Sequence, residues 1–208
     1  MVEYLKIVKS ALLNDEENRR QLAGEIDTYI RKYRKARQTI QANPMHTNST
    51  GEINTHSFVF PTGEEISISW DIGQIRSDIK NNSIQYLALP RLKEIIQADL
   101  AASIDEFIDI GNEVVSVKHH LDEPLIVMDF KPQRSYLLID GRHRFVEYAK
   151  FNQKSLIPCY FIDSEDCCKN IILKRDLIIY KILKNIWVVK RYMEGESCLA
   201  ELEDITLF

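Results

Sequence analysis

Apolar positions recur along this chain in two rhythms, one helical and one extended, and their order predicts an α+β protein. Leu5, Val8 and Leu12 return at three- and four-residue spacing and predict a short helix over 4–13. Leu22, Ile26, Tyr29, Ile30, Tyr33 and Ile40 keep that spacing and predict a longer helix from Asp15 to Gln41. Turn formers follow, Asn43-Pro44, Asn48-Ser49-Thr50-Gly51 and Asn54, and predict a loop. The rhythm then changes to every second residue. Phe58 and Phe60, a Pro61-Thr62-Gly63 turn, and Ile66, Ile68 and Trp70 together predict a β-hairpin.

Ile72, Ile75 and Ile79 predict a short helix ending near Asn81-Asn82, and Ile84–Leu89 reads as a strand. Pro90 is suited to the first turn of the helical region after it. Leu100–Ile110 continues as helix and stops at Gly111, and Val114, Val115 and Val117 predict an edge strand. Near the other end, Asp163-Ser164-Glu165-Asp166 opens a helix with acids in its first turn, where the helix dipole favours them. The same helical segment continues through Ile171 to Trp187, apolar on more than one face, which predicts that it is largely buried or packed on the N-terminal helix, and it ends at Glu194-Gly195-Glu196-Ser197.

The most informative stretch is Tyr136–Lys150. Leu137, Leu138 and Ile139 form an apolar run of strand length, Gly141 breaks it, and Phe145, Val146 and Ala149 give a helix with one apolar face. Asp140 is placed to cap that helix. Arg142, His143 and Arg144 fall in its first turn, at the positive pole, where each cation is unfavourable by roughly 0.3–1 kcal/mol. Two readings remain open here. In one, the cations and the exposed N–H groups hold an anion, most commonly phosphate. In the other, Asp140 pairs with one arginine, Glu147 with the second, and His143 is solvated.

The same stretch resembles the second motif of the ParB/sulfiredoxin superfamily, in the form Asp-Gly-x-His-Arg at Asp140–Arg144. Glu123-Pro124-Leu125-Ile126-Val127-Met128 resembles the strand before that motif, and Ile157-Pro158-Cys159-Tyr160-Phe161-Ile162 the strand after it. Leu100–Ile104 resembles the helix before the Pro-led strand, and Lys131-Pro132-Gln133-Arg134 becomes the turn joining the two central strands. The similarity covers 84–163, and its specific part is 123–162.

The resemblance implies a small mixed sheet with packed helices, flanked here by N- and C-terminal helices. The domains expected are an extension over 1–42, a ParB/sulfiredoxin-like domain over 55–163, and a C-terminal helical segment over 164–208. It also implies that Gly141, Arg142, His143 and Arg144 bind nucleotide phosphate, with ATP, ADP or CTP as the nucleotide. Asp140 and His143 are the catalytic candidates. Mg²⁺ is a further expectation, with Asp140 its ligand. In kinase-like relatives a carboxylate near the first family strand acts as base, and Glu94 is the nearest candidate, against the plainer reading of a surface glutamate. Arg142 stands where sulfiredoxins carry their reactive cysteine, which argues against sulfinic-acid reduction. The Gly-Glu-Arg-Arg form of ParB is not met either.

Composition narrows the classes. The chain has 208 residues, 45% of them hydrophobic, and a formal net charge of −4. That charge disfavours blanket binding to nucleic acid. No apolar run approaches the roughly 18 residues of a membrane span, and the first residues lack a signal-peptide pattern, so the expected location is the cytoplasm. The four cysteines form no Cys-x-x-Cys pair and read as reduced thiols rather than a metal site. The basic run from Arg31 to Arg37 reads as a solvated helix face, a phosphate-backbone contact, or part of a homodimer seam through the N-terminal helix. Three functions are carried forward. The first is an NTP-dependent phosphotransferase or nucleotide hydrolase. The second is a nucleic-acid-binding protein or ParB-like nuclease. The third is a non-catalytic regulatory or interaction protein of a mobile element.

Overall fold

The computed structural model describes residues 1–13, 17–39, 41–46, 51–60, 62–96, 123–133, 135–151 and 156–196. In chain order these form α1 (Val2–Leu13), α2 (Glu17–Arg37), a 3-10 turn (Pro44–His46), β1 (Ile53–Val59), β2 (Glu65–Asp71) and α3 (Ile72–Ile79). They continue with β3 (Gln85–Ala88), α4 (Leu89–Ile95), β4 (Leu125–Phe130), a 3-10 turn (Lys131–Gln133) and β5 (Ser135–Asp140). Last come α5 (Arg142–Phe151), β6 (Leu156–Ile162), α6 (Ser164–Cys168) and α7 (Lys174–Met193). The protein is α+β, with a two-stranded hairpin, a four-stranded mixed sheet, and helices at both ends of the chain. The helix expected over Leu100–Ile110, the edge strand at Val114–Val117 and the pair His119-His120 lie outside the described residues.

Contacts divide the chain into two units, Met1–Asp71 with Asn170–Phe208, and Ile72–Lys169. The hairpin therefore groups with the terminal helices rather than with the four-stranded sheet.

In the first unit α1 packs along α2, burying Leu5, Val8 and Leu12 on one side and Ile26, Tyr29, Ile30 and Tyr33 on the other. The periodic apolar face of each helix is the face that leaves water, the usual source of helix stability in a protein. Arg31, Arg34, Lys35 and Arg37 stand on the exposed side of α2. α7 lies against α2, where the Asn185 amide donates to the Tyr29 hydroxyl at 3.2 Å. Burial pushes that phenol up to about 12. In the hairpin Phe58 pairs with Ile66, and the inward set Phe58, Ile66, Ile68 and Trp70 is buried.

One expected element is broken in two. The helix starting after Asp163 stops at Cys168, and the next begins at Lys174. Between them the backbone is extended and paired. Asn170 O accepts from Asp71 N, Ile172 N donates to Ser69 O, and Ile172 O accepts from Asn43 N, all within 3.0 Å. These partners lie far away in sequence, so periodicity could not announce the break. Among the described residues no helix is long and apolar enough to cross a membrane.

In the second unit the strand order is β3-β6-β4-β5. β3 is antiparallel to β6, β6 parallel to β4, and β4 antiparallel to β5. Leu125 and Val127 of β4, Leu138 of β5, and Ile157 and Cys159 of β6 form one core with Leu92 and Ile96 from α4 and its end, and Phe145 and Tyr148 from α5. Ile126, Met128, Leu137 and Ile139, which alternate with those positions, are buried as well. That explains why β4 and β5 read as unbroken apolar runs, as strands covered on both faces do. Cys159 lies fully within this core, and burial pushes its thiol up to about 12, which leaves it inert as a nucleophile.

Candidate functional site

β5 ends on Asp140, and α5 begins two residues later. The turn between them is Gly141, at φ +91°, a conformation that strongly favours glycine. Its carbonyl accepts from Phe145 N at 2.9 Å and so closes the first turn of α5. A Cβ at Gly141 would collide with Leu125 Cδ2 and meet Arg144 Nη2 at 2.9 Å, so space as well as torsion favours glycine here.

Arg144 folds back beneath this turn and is only 7% exposed. Its Nη1 donates to Glu123 Oε2 at 2.7 Å, and its Nη2 to Asp140 Oδ2 at 3.3 Å and the Pro124 carbonyl at 3.4 Å. Its Nε is buried and has no acceptor among the described residues. A buried donor left unmade costs about 1–3 kcal/mol, more on a charged group, and such donors tend to mark functional or water-filled places.

Asp140 is the hub of the cluster. Arg76 reaches it from α3 with two hydrogen bonds, Nε to Oδ2 and Nη2 to Oδ1, both 2.9 Å. With Arg144 added, both carboxylate oxygens accept from guanidiniums. This changes two expectations. Asp140 is not seen capping α5, because its oxygens face arginines and Gly141 provides the first helical carbonyl. Nor does it fit as a magnesium ligand, since a metal would have to displace a bidentate arginine.

The remaining cations are placed differently. His143 is exposed at the start of α5. Arg142 is half-buried, and its Nε donates to the Leu138 carbonyl at 3.4 Å. Arg76 and Arg144 thus share Asp140, and Arg144 also meets Glu123. Arg144, expected to contact the anion, is buried and held by two carboxylates, so it is part of the fold as well.

Glu94 does not join this group. It is 65% exposed on α4, with its carboxylate 2.6 Å from Arg91, itself exposed. α4 follows β3, at the opposite edge of the sheet from β5. The plain reading, a surface ion pair, describes it. Among the described residues no three His, Cys, Asp or Glu side chains converge to hold a metal.

Two members of the cluster escaped the sequence reading. Arg76 belongs to a short helix with no functional pattern, and its partner lies 64 residues away. Glu123 was visible only as the residue before the Pro-led strand. The one local hint was stoichiometric, since a first helical turn with three cations needs carboxylates from somewhere. The chain matches no protein-family model, no curated protein and no solved structure.

Proposed function

We propose that the Asp140–Arg144 turn binds the phosphate of a nucleotide, in a ParB/sulfiredoxin-like domain, and that the protein is an NTP-dependent phosphotransferase or nucleotide hydrolase. The observation that carries the reading is Arg144, a buried guanidinium held by two carboxylates with its Nε unmatched, directly beneath a left-handed glycine at a helix start. The N–H groups of the first turn of α5 have no intrahelical acceptor and carry the positive end of the dipole. An anion bound there would meet those donors together with Arg142 and His143. The order of elements also supports the family reading: Pro-led β4, 3-10 turn, β5, glycine turn, α5, then β6 parallel to β4.

Each residue has a definite part in this reading. Gly141 opens the turn. Asp140 and Glu123 fix Arg144 and Arg76 so that their charge is in place before the ligand arrives. Arg142 and His143, nearer to solvent, contact the phosphate. Phosphoryl transfer is catalysed mainly by positioning and charge stabilisation, and a preorganised cation cluster supplies both. His143, the exposed titratable group of the turn, is the general acid or base.

The test is a thermal-shift panel of ATP, ADP, CTP, GTP and NAD, with and without Mg²⁺, on the parent and on the double variant Arg142→Ala/His143→Ala. A ligand that binds only the folded state raises its apparent stability. The expected outcome is a shift of several degrees with one nucleotide, absent in the double variant, whose own unfolding temperature is read in the same scan without ligand. No shift with any nucleotide, or an equal shift in both proteins, overturns the reading. The exposed basic side of α2 favours a second reading, contact with nucleic-acid backbone, whose signature is binding to short DNA or RNA that falls steeply with salt.

A further inference from the structure

At the other end of the same sheet lies an open depression of about 390 Å³. Its walls come from β3, α4, β4, β5 and the end of β6, and its floor includes Leu87 and Ile95. Tyr136 and Phe161 form one side, with ring centres 5.8 Å apart in an edge-to-face arrangement. Asp129 and Asp163 also line it. It is separate from the glycine turn. Tyr136 pairs with Asp129 at one end of the β4–β5 ladder, while Asp140 pairs with Ile126 at the other, roughly 13 Å away along β5 at about 3.3 Å per residue.

Asp129 is the anomaly. In β4 it follows Leu125 and Val127 at two-residue spacing, so it stands on the face of the sheet that those two bury against α4 and α5. A carboxylate at a core-facing register position is unfavourable unless something charged or hydrogen-bonded meets it. Asp140 shows what such a partner looks like, and no hydrogen bond of that kind reaches Asp129 among the described residues. Burial raises its pKa above the ordinary aspartate value, with Lys131 opposing and Asp163 adding to the rise.

Among the described residues, Arg91 is the one cation that lines the depression, with Asp129 and Asp163 as its acids. Lys131 lies outside the lining, and its ammonium is 3.5 Å from Asp163, at the limit of a hydrogen bond. Asp163 Oδ1 accepts from Glu165 N at 2.7 Å and caps α6. Arg91 is matched by Glu94. Two carboxylates, Asp129 and Asp163, therefore line the depression beside an aromatic wall, and its one described cation already has Glu94 as a partner.

We propose that this depression binds an organic ammonium ion, with its cationic head between Asp129 and Asp163 and its carbon skeleton against Tyr136 and Phe161. An ammonium ion matches the surplus carboxylate. An apolar body matches a floor and wall of leucine, isoleucine and aromatic rings, whose faces also attract cations. The site stands independently of the phosphate reading, since it shares no residue with the turn.

The test compares three ligands of one shape on the full chain by ¹H–¹⁵N chemical-shift titration: phenethylamine, neutral 2-phenylethanol and anionic phenylacetate. Phenethylamine should saturate, with shifts centred on Gln85, Asp129, Tyr136 and Phe161, and the other two should bind at least tenfold more weakly. In Asp129→Asn, phenethylamine affinity should fall at least tenfold while 2-phenylethanol binding stays the same. Failure of phenethylamine to saturate, phenylacetate binding as tightly, or unchanged amine affinity in Asp129→Asn would overturn the proposal. The three-ligand comparison uses the unaltered chain, so it decides the matter even if the variant folds poorly.

Discussion

Asp140 and Asp129 stand at opposite ends of one β-hairpin and are treated in opposite ways. Asp140 is 9% exposed and accepts three hydrogen bonds from two arginines. Asp129 is half-buried, and burial is the largest influence on its titration. At the first end the protein has assembled its own counter-ions from α3 and α5, and the acid organises cations. At the second end no such hydrogen-bonded counter-ion meets the acid among the described residues, and Lys131 only opposes the effect of burial. Position in a strand does not decide whether a carboxylate is tolerated; long-range partners do.

The sharpest way to break this contrast is Asp140→Ala. Removing one partner from a buried charge pair typically costs about 3–5 kcal/mol, because the other charge is left uncompensated. Chemical denaturation should show a loss of that size. A double-mutant cycle with Arg144→Ala should show strong coupling, since the two residues share a bond. A loss below about 1 kcal/mol would mean that Glu123 alone suffices to hold Arg144.

Gly141→Ala should come next. The left-handed torsion costs a non-glycine residue about 1–2 kcal/mol, and the added methyl must push aside Leu125 or Arg144. A destabilisation of about 2–4 kcal/mol in the same assay is expected, with weakened binding of any anion at the turn. Wild-type stability would show that the turn relaxes to another conformation.

The smallest effect carries the opposite sign. Because burial raises Asp129 above its unfolded value, the folded state holds that proton more tightly than the unfolded chain does. Its contribution is therefore most favourable at acidic pH, below the unfolded value, and is lost as pH rises through the raised folded value. At pH 7 the ionised side chain should be a mild liability. Asp129→Asn should melt at the same temperature as the parent or slightly higher at pH 7, and the difference should shrink or reverse towards pH 4. A variant clearly less stable at pH 7 would show instead that Lys131 already provides the missing counter-ion.

Much of the scaffold was legible because local rules and tertiary packing agree there. The faces of α1 and α2, the alternation of Phe58, Ile66, Ile68 and Trp70, and the strand–glycine–helix sequence through Gly141 each follow from side-chain period and one special torsion. What was hidden depended on distant partners. The interruption at Asn170–Leu173 exists because Ser69, Asp71 and Asn43 claim its backbone. Arg76 acquires its role only when α3 meets the end of β5. Asp129 did leave a trace, an acid inside Leu-Ile-Val-Met-Asp-Phe, but without the register of β4 nothing said which face it would meet.

The pairing at Asn170 also bears on how the chain is organised as it is made. The chain leaves its first unit at Asp71 and returns to it at Asn170, and these two residues share a hydrogen bond of 2.9 Å. Residues 72–169 are thus an insertion whose two ends are adjacent, the arrangement in which one domain interrupts another at little entropic cost. During synthesis the inserted segment is complete before its host. The packing of α7 on α2 can form only after the inserted segment has been made.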